Sequence, residues 1–71
     1  MALPTNEDRI KWAQQSLNTH ARVTRSEDEA PDTWAIDLLC NLRHWCDAAC
    51  VNFDELNRIA AGHYAVEKQE G

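Results

Sequence analysis

Residues 34–56, WAIDLLCNLRHWCDAACVNFDEL, decide the fold, because a long apolar helix and a strong turn signal follow one another there. At 100° per residue, the apolar side chains of the first part fill a continuous arc of about 140°. An arc this wide contacts two neighbours, which predicts a central helix, helix two, over about 32–49. The arc consists of Trp34, Trp45, Leu38, Ala49, Leu42, Ala35, Cys46 and Leu39.

The turn signal lies between the central helix and the next one. Asn52 and Glu55 have the Asn-x-x-Glu spacing of a helix cap, and Val51 and Leu56 occupy the positions of a hydrophobic staple. We therefore expect a third helix over about 53–68, and so short a break makes helices two and three an antiparallel hairpin. The apolar side of helix three consists of Phe53, Leu56, Ile59, Ala60, Tyr64 and Val66, with His63 among them.

A first helix precedes this hairpin, over about 6–24. Thr5 and Asp8 have capping-box spacing at its start, and a narrow apolar sector marks its core face. In the linker that follows, either Ser26 or Asp32 is able to cap helix two. The core face of the first helix comprises Ile10, Ala13, Leu17, Ala21 and Thr24.

Length and composition agree with one small all-α domain of three helices spanning residues 1–71. Hydrophobic residues make up 44% of the chain and charged residues 27%, and two glycines and two prolines are too few for the turns of a sandwich or barrel. No stretch is long and apolar enough to span a membrane. An odd count of three cysteines, with no signal peptide, argues against a disulfide framework and for a cytoplasmic protein.

The net charge of −5 is unevenly distributed. Residues 1–25 have four basic and two acidic side chains, a balance of +2, whereas residues 26–71 have three basic and ten acidic ones, a balance of −7. A helix-turn-helix protein needs a basic recognition helix, but helix three mixes both signs and helix two is acidic. Because phosphates would be repelled, direct nucleic-acid binding is not expected.

A metal site or a cysteine-based active site is an alternative, since Cys40, His44, Cys46 and Cys50 lie in one segment. On a helix, Cys46 points about 120° away from Cys40, and Cys50 lies roughly 15 Å from Cys40 along the axis. Zinc ligands must converge at about 2.0–2.3 Å, which this spacing prevents. Cys40 and His44 are one turn apart, but no pattern supplies a third orienting group or an oxyanion site. We expect no metal, no cofactor and no catalytic activity.

The side chains with an open role are Trp12 and His63. Trp12 lies off the core face of helix one, where it either anchors a partner or covers the start of helix two. His63 lies among apolar residues, as is typical of a core-edge histidine.

The acidic residues of the linker have two possible roles. They suit the positive start of helix two, but together with the polar side of that helix they also offer a partner-binding surface. The predicted surface consists of Trp12, Glu27, Asp28, Glu29, Asp32, Asp37, Asn41, His44 and Asp47.

Self-association is expected for two reasons. The apolar arc of helix two, with Trp34 and Trp45 at one edge, is wider than two short amphipathic helices cover. A chain of about 70 residues also seldom has a sufficient core of its own. We therefore expect a homodimer.

The runs IDLLCNLRHWCDA (36–48) and NFDEL (52–56), followed by Ala60, His63 and Tyr64, are similar to a known pattern. The chain resembles a group of short helical proteins of bacteriophages, plasmids and integrated elements. Their pattern is like D-L-L-x-x-L-x-H-W-x-D, then a glycine turn, then D-F-x-x-x-L and A-x-x-H-Y. The resemblance implies a mobile-element context in the cytoplasm of a bacterial host cell rather than a mechanism.

The likeness covers about residues 32–67 and departs from the pattern at two positions. Cys50 replaces the glycine of the turn, and a side chain in a left-handed conformation there costs roughly 1 kcal/mol. The turn geometry therefore differs here, or stability is lost. Asn52 replaces the aspartate before Phe53, which preserves the cap.

Small acidic proteins of mobile elements often bind and block a host protein, anti-CRISPR inhibitors being the best-known kind. Host complexes that handle nucleic acid present basic surfaces, which an acidic helical face can occupy. Context and charge together predict a non-catalytic inhibitor of such a host defence complex, of the CRISPR type. The alternative is a structural, assembly or regulatory helical dimer of the element itself, with no defence target.

Overall fold

The computed structural model describes residues 2–70, which form three α-helices. Helix α1 spans Asn6–Thr24, α2 spans Pro31–Ala49 and α3 spans Phe53–Glu70. No strand occurs in the described range, and α2 contacts α3, so the all-α prediction is confirmed. Helix α1 has the predicted bounds, whereas α2 begins one residue earlier and α3 ends two residues later than expected. None of the three helices combines the length and apolar character that crossing a bilayer requires.

Thr5 caps α1 as its spacing predicts. Its Oγ1 accepts a hydrogen bond of 3.2 Å from the backbone N–H of Asp8, and its own backbone N–H donates to the Asp8 carboxylate at 3.0 Å. This reciprocal capping box satisfies backbone donors that the first turn of a helix otherwise leaves without partners.

Helices α1 and α2 both end in a left-handed residue. Arg25 has φ 59° and ψ 41°, and Cys50 has φ 60° and ψ 37°. After each of them, the next backbone N–H donates to a carbonyl five residues back at 2.9 Å, which is the Schellman motif. Cys50 therefore adopts the backbone conformation of a glycine turn, at a cost of roughly 1 kcal/mol.

The start of α2 differs from the prediction. Ala30 occupies the N-cap position, and neither Ser26 nor Asp32 caps the helix. Ser26 is instead buried in the corner between α1 and α2, where its carbonyl accepts a hydrogen bond of 2.8 Å from Nε1 of Trp34. A tertiary contact thus takes the place of the expected local cap.

Helices α2 and α3 meet beside their short connector. Asn52 caps α3 as predicted, its Oδ1 accepting a hydrogen bond of 2.9 Å from the backbone N–H of Glu55. The guanidinium carbon of Arg43 lies 4.2 Å from the centroid of the Phe53 ring, and its Nη1 lies 3.8 Å from the Asp54 carboxylate. These contacts hold the last turns of α2 against the first turn of α3.

The last turns of α3 lie against the first turns of α1. The side-chain amide of Asn6 donates to the carbonyl oxygen of Glu67 at 3.0 Å, and Nε of Arg9 is 3.4 Å from the Glu67 carboxylate. The three helices form an open layer with extents of 35 × 30 × 21 Å. The Cα radius of gyration is 14.0 Å, whereas a compact domain of this length has about 11 Å.

The buried core is correspondingly small. Among residues 2–70 only Ala21, Cys46 and Ser26 are buried, and His63 is exposed rather than placed at a core edge. The open layer leaves most of the apolar side chains of the three helices uncovered. The predicted core residues that remain 40% to 68% exposed are Ile10, Leu39, Leu42, Trp45, Leu56, Ile59, Tyr64 and Val66.

Candidate protein-binding surface

A shallow groove lies between α1 and α2. It has a volume of about 590 Å³ and is largely open to solvent. Most of its lining comes from the outer side of α1, and α2 contributes Leu38. The lining residues are Trp12, Gln15, Ser16, Thr19, His20, Val23 and Leu38.

Trp12 is the largest side chain in the groove, and 53% of its surface is exposed. The hydroxyl of Ser16 donates to the Trp12 carbonyl at 3.0 Å, one turn along α1. The start of α2 is held by Trp34, whereas Trp12 lies along the groove with Leu38. Of the two roles that the sequence leaves open for Trp12, the geometry favours an outward-facing one.

His20 connects the groove to the polar side of α2. Its Nε2 lies 3.0 Å from the side-chain nitrogen of Asn41, whereas its Nδ1 is buried with no hydrogen-bond partner in the described chain. His20 is not among the functional residues that the sequence predicts. Its position next to Ala13 on the helical wheel, at the edge of the core face of α1, was the available signal.

Four of the predicted residues follow one another along α2. The spacings between Asp37, Asn41 and His44 are four and three residues, which places these three side chains on one side of the helix. Asp47 lies about 60° from His44 around the same helix. Asp37 is half-buried and the other three are exposed. We call Asp37, Asn41, His44 and Asp47 the polar stripe.

The remaining predicted acids lie apart from the polar stripe. Residues 27–29 are exposed in the connector between α1 and α2. Asp32 is exposed in the first turn of α2, where its carboxylate accepts a hydrogen bond of 3.0 Å from the backbone N–H of Thr33. It lies about 140° from Asp37 around the helix. The predicted surface therefore divides into an acidic connector region and a polar stripe beside the groove.

None of the acids in these two groups pairs with a cation within residues 2–70. Their negative charges therefore remain uncompensated and produce an outward-facing field. The ion pairs in that part of the chain are Arg9–Glu67, Arg43–Asp54 and Arg58–Glu55.

The cysteines are free thiols, of which Cys46 is buried and Cys40 and Cys50 are exposed. Between residues 2 and 70, no group of three or more His, Cys, Asp or Glu side chains is arranged to hold a metal ion. Comparison with protein-family models, with curated proteins and with solved structures gave no match.

Proposed function

We propose that this chain is a non-catalytic inhibitor that binds a host protein complex through the groove and the polar stripe. The observation that carries the proposal is the exposed indole of Trp12 in a groove that the contact between His20 and Asn41 connects to the polar stripe. Protein interfaces combine a few large anchors, often Trp, with charges at the rim that steer association. Trp12 supplies the anchor here, and Asp37 and Asp47 supply the charge.

Charge defines the kind of partner. The chain carries a net charge of −5, with ten of its acids in residues 26–71. Such a field attracts basic surfaces and repels phosphates. Host complexes that bind nucleic acid present basic surfaces, and the resemblance to short helical proteins of mobile elements supplies a reason for blocking one. The chain thus occupies a surface that otherwise binds nucleic acid, in the manner of an anti-CRISPR inhibitor.

Capture from host lysate tests this function with four versions of the chain as bait. Wild type is compared with Trp12→Ala and with the double variant Asp37→Lys/Asp47→Lys. The matched control is Glu7→Lys/Glu70→Lys, which makes the same change in net charge at the corner where α3 ends against α1. Circular dichroism verifies that each bait keeps its helix content.

We expect a partner that wild type and the control retain and that both groove variants lose. Rising salt should weaken its binding, because exposed charges are screened. Added nucleic acid should release the partner, since both compete for the same basic surface. Equal capture by all four baits, capture by none, or retarded mobility of duplex DNA with the chain alone would contradict the proposal.

A further inference from the structure

We infer that a second copy of this chain covers the apolar side of the helical layer. The inference rests on five exposed aliphatic side chains from the three helices, which we together call the aliphatic surface. Each lies on the side that helical spacing assigns to the core, yet each is 40% to 68% exposed. The aliphatic surface consists of Ile10, Leu39, Leu42, Leu56 and Ile59.

The exposed area has the size that a dimer needs. The chain has a solvent-accessible area of 5994 Å². A compact monomer of 8.1 kDa has about 4,500 Å², which leaves an excess of about 1,500 Å² here. Each partner buries about 800 Å² in a standard complex and about 1,000–2,500 Å² in a permanent homodimer. The excess therefore corresponds to one protomer's share of a homodimer interface.

The chemistry of the aliphatic surface selects a second copy over a different partner. A two-fold dimer brings the same patch of both subunits together, so that patch must be complementary to itself. Aliphatic side chains meet this condition. The polar stripe does not, because the uncompensated charges of Asp37 and Asp47 would repel their own copies. The aliphatic surface thus suits a second copy, and the polar stripe suits a basic partner.

The incomplete core is an independent reason for a second copy. Ala21 and Cys46 are the buried hydrophobic residues of the described chain. Chains this short with a small core usually need oligomerisation, a metal or disulfides for stability. A second copy is always available as a partner, and packing the two aliphatic surfaces together would complete the core of both chains. The inference does not depend on the inhibitor proposal, since the aliphatic surface shares no residue with the groove or the polar stripe.

Sedimentation equilibrium of the purified chain, from low to tens of micromolar, tests the inference. We expect wild type to have twice the mass of the 8.1 kDa chain. Leu42→Asp places a charge in the aliphatic surface and should give a monomer. The matched control is Ile36→Asp, on the same helix and 63% exposed, but about 120° away from Leu42 around α2. This control should stay dimeric.

A second measurement uses wild type alone and so does not depend on whether the Leu42→Asp variant folds. Helix content and the thermal midpoint of wild type are followed over the same concentrations. Both should rise with concentration, as mass action requires when a second copy completes the fold. A helical 8.1 kDa monomer at tens of micromolar, or a Leu42→Asp variant that remains dimeric, would overturn the inference.

Discussion

The indole nitrogen of Trp34 donates a hydrogen bond of 2.8 Å to the backbone carbonyl of Ser26, eight residues earlier. The bond joins the first turn of α2 to the segment that leaves α1. Ser26 is 9% exposed, and its hydroxyl lies 2.7 Å from that of Thr24. This corner between α1 and α2 is therefore the best-buried junction of the layer. The junctions of α2 with α3 and of α3 with α1 rely on exposed or half-exposed side chains.

Removing the Trp34 donor should destabilise the protein. Trp34→Phe removes one of two hydrogen bonds to the Ser26 carbonyl, which still accepts from the backbone N–H of Glu29 at 3.0 Å. We expect a loss of about 0.5–1.5 kcal/mol. The thermal midpoint of a domain of this size falls by about 4–8 °C per kcal/mol. Trp45→Phe is the control, because Trp45 is 59% exposed. Equal melting temperatures for the two variants would show that the bond contributes nothing.

Glycine at the end of α2 should stabilise the protein. Cys50 has φ 60°, so Cys50→Gly relieves a strain of roughly 1 kcal/mol. Cys40→Gly removes the same side chain inside α2 and should destabilise by roughly 0.3 kcal/mol, because cysteine is the better helix former of the two. Urea unfolding of both variants measures the difference. Shifts of the same sign would contradict the left-handed conformation at Cys50.

Loss of the cap of α3 should also lower stability. The side chain of Asn52 accepts a hydrogen bond from the backbone N–H of Glu55, and Asn52→Ala removes it at a cost of about 1 kcal/mol. Asn57→Ala, inside α3, is the matched control and should be neutral or slightly stabilising, because alanine is the better helix former. Thermal unfolding followed by circular dichroism distinguishes them. A smaller loss at Asn52 than at Asn57 would count against the cap.

Gly62 should be replaceable with a gain in stability. It lies inside α3 with nothing within 4 Å of an added Cβ, and its φ is not positive. Gly62→Ala should therefore stabilise by about 0.8–1 kcal/mol, since glycine in a helix interior exposes backbone and loses more entropy on folding. Ala61→Gly makes the reverse change at the neighbouring position and should destabilise. Chemical denaturation checks both signs, and a destabilised Gly62→Ala variant would mean that another surface contacts α3 there.

Local sequence signals were enough to predict the three helices and the N-caps of α1 and α3. The contacts between Thr5 and Asp8 and between Asn52 and Glu55 each join residues three apart. The backbone of one turn brings such pairs together whatever the rest of the chain does, so their spacing suffices to predict them. The polar stripe follows from the same periodicity.

Contacts between distant residues escaped prediction. His20 and Asn41 are 21 residues apart, and Asn6 and Glu67 are 61 apart. No periodic pattern specifies such pairs. The place of Trp12 in the groove belongs to the same class, because it depends on where Leu38 of α2 lies relative to α1.

The sequence by itself therefore determined three helices, their bounds within two residues, and which side of each helix is apolar. Only the tertiary structure decided how much of those apolar sides stays uncovered and that Trp12, His20 and Asn41 meet around one groove. Hydrogen bonds and side-chain spacing within a helix are set by backbone geometry alone. The angle at which helices meet is set by many weak contacts between distant residues. A periodic pattern therefore predicts which side of a helix is apolar but not which residues cover that side.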